Sequence, residues 1–240
     1  MNLTLMWDSI PRLLDGLLLT LELVGLSLLL GFFVAVGFAL MRLSASRLLS
    51  GFAYGYVFVF RGTPLLVQIF LIYYGLGQFE AIRDSFLWDF FREPFWCAIL
   101  AYCLNTGAYT SEIIRGGIQS VPYGQVEAAR ACGMGRLLLF RRIVFPIAIR
   151  QALPAYGNEI MLMVKASSLA STITLMEVTG IARSIISKTF APVEIFIVAG
   201  SIYLLINFLV SRGIRYAEYR LSGHLREAPK PVVVVPVGAH

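Results

Sequence analysis

Five stretches of this chain are each about as long as a bilayer's hydrocarbon core is thick when wound into a helix, and they are almost free of charge. They cover 17–41, which carries only Glu22; 52–74, with Arg61 and Pro64 inside; 95–114; 152–176, with Glu159 and Lys165; and 193–210. Hydrocarbon offers the backbone no hydrogen-bond partners, so runs of this kind cross a membrane as helices. One soluble core could not absorb them, since 58% of the residues are apolar, 14% are charged and the mean hydropathy is +0.76. The expectation is an all-α membrane protein with five transmembrane helices over 1–221.

An odd number of crossings puts the termini on opposite sides. Arginine and lysine are retained on the cytoplasmic side. Arg42, Arg47, the arginines between 115 and 150 and the basic residues between 212 and 230 fall on one side, against Arg12, Arg83, Arg92, Arg183 and Lys188 on the other. That side is therefore the inner one, with the N-terminus outside and the C-terminus inside. The first apolar run is too long for a cleavable signal and reads as a retained helix. The last residues, 222–240, include APKPVVVVPVGAH, have no helical period and are expected to trail as a disordered tail.

Composition also excludes functions. The net charge of +6 is spread through short inner connections, which topology and anionic lipid explain without nucleic acid. Cys97, Cys103 and Cys132 are odd in number and lack ligand spacing, so neither a disulfide framework nor a metal site is expected. No phosphate-binding GxxxxGK[ST] loop and no nucleophile with an adjacent base occurs, so the chain is expected to be neither an enzyme nor a binder of cofactors.

The longest connection, 115–150, falls on the inner side. Its first helical stretch alternates small residues with Glu127 and Arg130, which lets one face seat closely against another surface. Gly133 and Gly135 allow the chain to turn. The stretch from 136 to 145 is basic and apolar by turns, as a helix at the lipid interface would be, and Pro146 is expected to end it.

Glu127, Ala128, Ala129, Gly133, Ile143 and Pro146 together resemble the EAA loop of ABC importer permeases, with Phe145 where that pattern usually has leucine. RGTPLLVQ at 61–68, NTGAYTSEIIRGGIQSVP at 105–122 and LPAYGNEIMLMVKASSLAS at 153–171 look like the polar amino acid permease family, over about 16–210. Within it the chain is most similar to the subunits for histidine, lysine, arginine and ornithine and to those for opines. The resemblance implies a type I ABC importer permease fold in the bacterial inner membrane, with those six residues docking on cytoplasmic ABC ATPase subunits. It further implies a periplasmic substrate-binding protein and a second, homologous permease subunit in a heterodimer, or an identical one in a homodimer.

Glu159 is the leading candidate for the substrate path, because a carboxylate within an apolar helix is costly unless it meets a cation or a cavity. A basic amino acid or an opine guanidinium would supply the cation; Arg61 is the structural alternative, and Lys165 lies too far around the helix. Relatives for basic amino acids often carry a second acidic residue where this chain has Ala166. Thr63, Gln68, Asn105, Ser167 and Ser168 could hydrogen-bond an amino acid headgroup, or simply join helices. Gly62 and Pro64 are expected to break or kink the second span. Glu112 is expected to pair with Arg115 or Arg150. The rival functions are an ATP-independent secondary transporter or channel, and a membrane scaffold; neither has need of the 115–150 arrangement.

Overall fold

The computed structural model describes residues 2–221, and every regular element among them is helical. The tail expected over 222–240 lies outside the described residues. A short helix, α1 (Leu3–Asp15), precedes the first apolar run. It starts where the Asn2 side chain accepts the Leu5 N–H at 3.1 Å, and it buries Ser9 and Leu13 while exposing Leu3 and Trp7. The long α2 (Leu17–Leu43) follows, then α3 (Arg47–Gly62).

Beyond α3 the expected span of 52–74 is not one helix. It breaks at 62–64, and the continuation, α4 (Leu65–Phe70) with a π turn (Leu71–Gly75) and a 3-10 turn (Leu76–Gln78), leaves at 104° to α3. Pro64 has no N–H for the helical ladder and forces the residue before it, Thr63, into extended backbone (φ −114, ψ 145). Two single turns, α5 (Glu80–Arg83) and α6 (Trp88–Phe91), lead into α7 (Pro94–Gln119).

The central element is α7, packed on α2, α3, α4 and α10 (Phe145–Ala166). It holds the expected span 95–114, and its 26 residues reach about 39 Å. Its apolarity is diluted by polar residues turned inward, Asn105, Thr106, Thr110 and Ser111 among them. The α2 face against it is made of small residues, Ser27, Gly31, Ala35 and Ala39, which bring the two backbones close. A Cβ at Gly31 would collide with Cγ2 of Thr106 and stand 3.2 Å from the Cys103 carbonyl.

After α7 come α8 (Tyr123–Ala131), α9 (Arg136–Leu139) and a π turn (Phe140–Val144) that runs straight into α10. Pro146 therefore ends nothing. It lies in the first turn of α10, where a missing N–H is tolerated, and the wider turn before it gives its ring room. The helix tightens to 3-10 geometry over Ser167–Ile173 and stops at Thr174, which is left-handed (φ 73). Two helices, α11 (Val178–Thr189) and α12 (Pro192–Leu221), complete the chain.

Among the described residues, Leu17–Leu43 and Pro192–Leu221 are long and apolar enough to cross a membrane unaided, and each of the bent pairs at 62–64 and 174–177 could furnish one more crossing. One buried cluster joins α2, α4, α7 and α10 around Leu23, Ile69, Tyr102 and Met163; a second joins α1, α11 and α12 around Leu13, Val178 and Ile195. The outer faces stay apolar, with Leu204, Leu205, Phe208 and Leu209 of α12 all exposed, as in surfaces that meet lipid or another protein.

Candidate functional site

Three of the residues singled out from sequence meet at the 62–64 break. Phe60 O would normally accept from the N–H four residues on, which Pro64 lacks. It instead accepts from Gln68 Nε2 at 2.9 Å and from Asn105 Nδ2 at 3.2 Å. Gln68 Nε2 also donates to Thr63 O (3.1 Å) and Thr63 Oγ1 (2.9 Å), while Asn105 Nδ2 also donates to Gln68 Oε1 (3.0 Å). The Thr63 hydroxyl donates to Val59 O at 2.8 Å, another carbonyl released where the helix ends. Asn105, Gln68 and Thr63 thus form a clasp that satisfies broken backbone, and their donors are already engaged.

Glu159 sits on α10, 5% exposed, near Thr106 of α7, whose buried hydroxyl has no hydrogen-bond partner among the described residues. The charge of Arg61 acts on it, but among the described residues no cation lies within 4 Å of its carboxylate. Arg61 is exposed and lies over the Tyr109 ring at 5.0 Å, and Lys165 is exposed at the far end of α10. Glu159 is therefore a buried carboxyl group without an ion-pair partner among the described residues. Ser167 and Ser168 donate to Val164 O and Lys165 O at 2.7 Å each and share no hydrogen bond with the clasp.

Glu112 does pair with Arg115 (2.6 Å), and its other oxygen takes Arg42 of α2 at 3.1 Å, which ties the C-terminal parts of α2 and α7 together. Sequence reasoning missed that second arginine. It also missed Glu177, which is fully buried and caps α11. Its carboxylate accepts from Thr179 N (3.0 Å), Gly180 N (2.8 Å) and the Tyr203 hydroxyl. The signal was present in an acidic residue directly before a helix.

In the connection between α7 and α10, Glu127 and Ala128 face outward on α8, and Ala129 packs inward at 5% exposure. Gly133 adopts φ +77 just past the helix end. Its N–H donates to Arg130 O at 2.9 Å and the Met134 N–H to Ala129 O at 3.1 Å, the paired bonds of a Schellman cap. Ile143 lies in the π turn and Pro146 just beyond it, both half-buried, so Glu127, Ala128 and Gly133 present an exposed turn while Ala129, Ile143 and Pro146 anchor it. No cluster able to hold a metal ion occurs among the described residues.

Comparison with known proteins agrees in sequence and in shape. Residues 27–223 match the family described as binding-protein-dependent transport system inner membrane component. The nopaline transport system permease protein of Agrobacterium fabrum (strain C58) is 63% identical over 94% of this chain and 94% of its own length. The octopine transport system permease protein of Rhizobium meliloti is 55% identical over 95% and 93%. The histidine/lysine/arginine/ornithine transport system permease protein of Escherichia coli K12 is 39% identical over 92% and 93%. A crystal structure of an amino acid ABC transporter with histidines superposes with a TM-score of 0.82 at 35% identity, covering 92% of this chain and 99% of that one. The MetNI methionine ABC transporter shares the fold alone, with a TM-score of 0.70 at 14% identity, over 92% and 99%.

Proposed function

Because this chain belongs to the family of inner membrane components of binding-protein-dependent transport systems, it is a permease subunit whose ATP is hydrolysed by separate subunits, and we propose that it imports a basic amino acid or an opine. The relatives carry nopaline, octopine or histidine, lysine, arginine and ornithine. Every one of those basic molecules offers a cation to a buried carboxylate, and Glu159 is such a carboxylate.

The observation that carries the reading is mechanical. The helical run Arg136–Ile173 is continuous in direction from the exposed α8 turn to the segment bearing Glu159. An ATPase subunit seated on Glu127 and Ala128 moves α8, the Gly133 cap passes that motion to α9, and the run conveys it to Glu159. Ala129, Ile143 and Pro146 hold the turn to the bundle. Thr63, Gln68 and Asn105 keep the break at 62–64 open beside the path, and Ser167 and Ser168 fix its far end. The N-terminus is outside, the C-terminus inside, and a second homologous permease completes the enclosure.

The test is uptake into vesicles containing the complete complex, with the binding protein on the outside. Flux of a basic amino acid or opine should require ATP within. Equal flux without ATP would make the chain a secondary transporter or channel instead, and no flux with any such substrate would end the reading.

A further inference from the structure

We infer that Arg61, laid over the face of Tyr109, is the anchor for the carboxylate of the transported molecule. The inference rests on the importer reading above and names the second half of its substrate site. A cavity of about 350 Å³ beside α3 and α7 is lined in part by Arg42, Tyr54, Phe58, Arg61, Tyr109 and Glu112. Two arginines thus share one space with one carboxylate, and that carboxylate is taken. Glu112 gives one oxygen to Arg42 at 3.1 Å and the other to Arg115 at 2.6 and 3.0 Å. Arg42 is held further by the Tyr54 ring, 5.1 Å from its guanidinium carbon.

Arg61 has no such arrangement. Among the described residues no carboxylate lies within 4 Å of it, its side chain is exposed, and the stack on Tyr109 at 5.0 Å engages only its face. A guanidinium cannot shed its proton, so it needs an anion or water wherever it lies. It lies near the C-terminal end of α3, fourteen residues or about 21 Å along the helix from Arg47. With the face covered, the donor edges remain, and a planar pair of donors matches the two oxygens of a carboxylate. Every amino acid and every opine carries at least one carboxylate.

Tyr109 and Thr106 are one turn apart on α7, and Thr106 is the residue beside Glu159. The two charged groups therefore flank one helix, with Arg61 placed for the anionic end of a substrate and Glu159 for the cationic end. A zwitterion with a long basic side chain has its charges in that order.

The experiment compares L-arginine with agmatine, which is arginine without its carboxylate, in equilibrium binding to the complete complex in nanodiscs without binding protein. The wild type should prefer arginine at least about tenfold. Arg61→Gln should bring that ratio close to one while leaving agmatine affinity within about twofold, which also reports an intact site, and Arg61→Lys should fall between. An unchanged ratio in Arg61→Gln, equal loss of both ligands, or loss of the second permease subunit from the complex would overturn the inference; the last would make Arg61 a subunit contact. Glu159→Gln separates the two claims, because it should weaken arginine relative to its neutral isostere citrulline without touching the arginine-to-agmatine ratio. If Glu159→Gln changes nothing and Arg61→Gln still collapses its ratio, the cation reading of Glu159 falls and Arg61 stands. A wild type that binds neither ligand overturns both.

Discussion

Gly133 and Asn105 are the residues whose roles are most directly checked. At φ +77 with open space around the missing Cβ, Gly133 is constrained by backbone and not by packing. A β-branched side chain is strained there by about 1–2 kcal/mol, whereas asparagine visits that region at small cost. Gly133→Val should therefore lower ATP-driven uptake at least tenfold with normal amounts in the membrane, and Gly133→Asn should keep most of it. Normal uptake by the valine variant would detach this turn from coupling. For Asn105, removal of the amide leaves Gln68 Oε1 buried without its donor and Phe60 O with one donor instead of two. Asn105→Ala should cost about 1–2 kcal/mol, seen as a lower midpoint in detergent unfolding.

Among the elements, the α2 and α7 contact is the one most sensitive to size. Gly31→Val forces the two helices apart at Thr106 and should lower the unfolding midpoint by the equivalent of about 1–3 kcal/mol. Gly25→Val, on the same helix with nothing within 4 Å, should leave the midpoint unchanged, and a similar loss at both positions would assign the effect to helix propensity instead. The sequence was legible wherever an element announces itself by length or by a breaker. The apolar runs of α2 and α12 are of that kind, and so is the Gly-Thr-Pro break after α3. It was silent on α1 and α11, which are too short and mixed to stand out. Pro146 misled for a physical reason: a proline is as much a sign of a helix beginning as of one ending, and only the π turn before it decides. Thr63, Gln68 and Asn105 were legible as polar residues in apolar surroundings, but their shared acceptor, Phe60 O, is a backbone atom that no residue type reveals.

At the scale of the whole molecule, orientation in the membrane is open to a test that the chain itself supplies. Cys132 is exposed at the end of α8, and Cys97 and Cys103 are buried in α7. A membrane-impermeant maleimide should label Cys132 in inside-out vesicles and not in intact spheroplasts, and added ATPase subunits should slow the reaction. Labelling from outside would invert the topology and place the α8 turn beyond reach of any cytoplasmic motor. The π turn at Phe140–Val144 bears on how such a motor is felt at depth. A π turn is a place where a helical run bends, so a push below it is expected to tilt the run above. From Pro146 to Glu159 that run is about 20 Å long, and a tilt of about 5° displaces its tip by roughly 2 Å. That is enough to make or sever a hydrogen bond at Glu159.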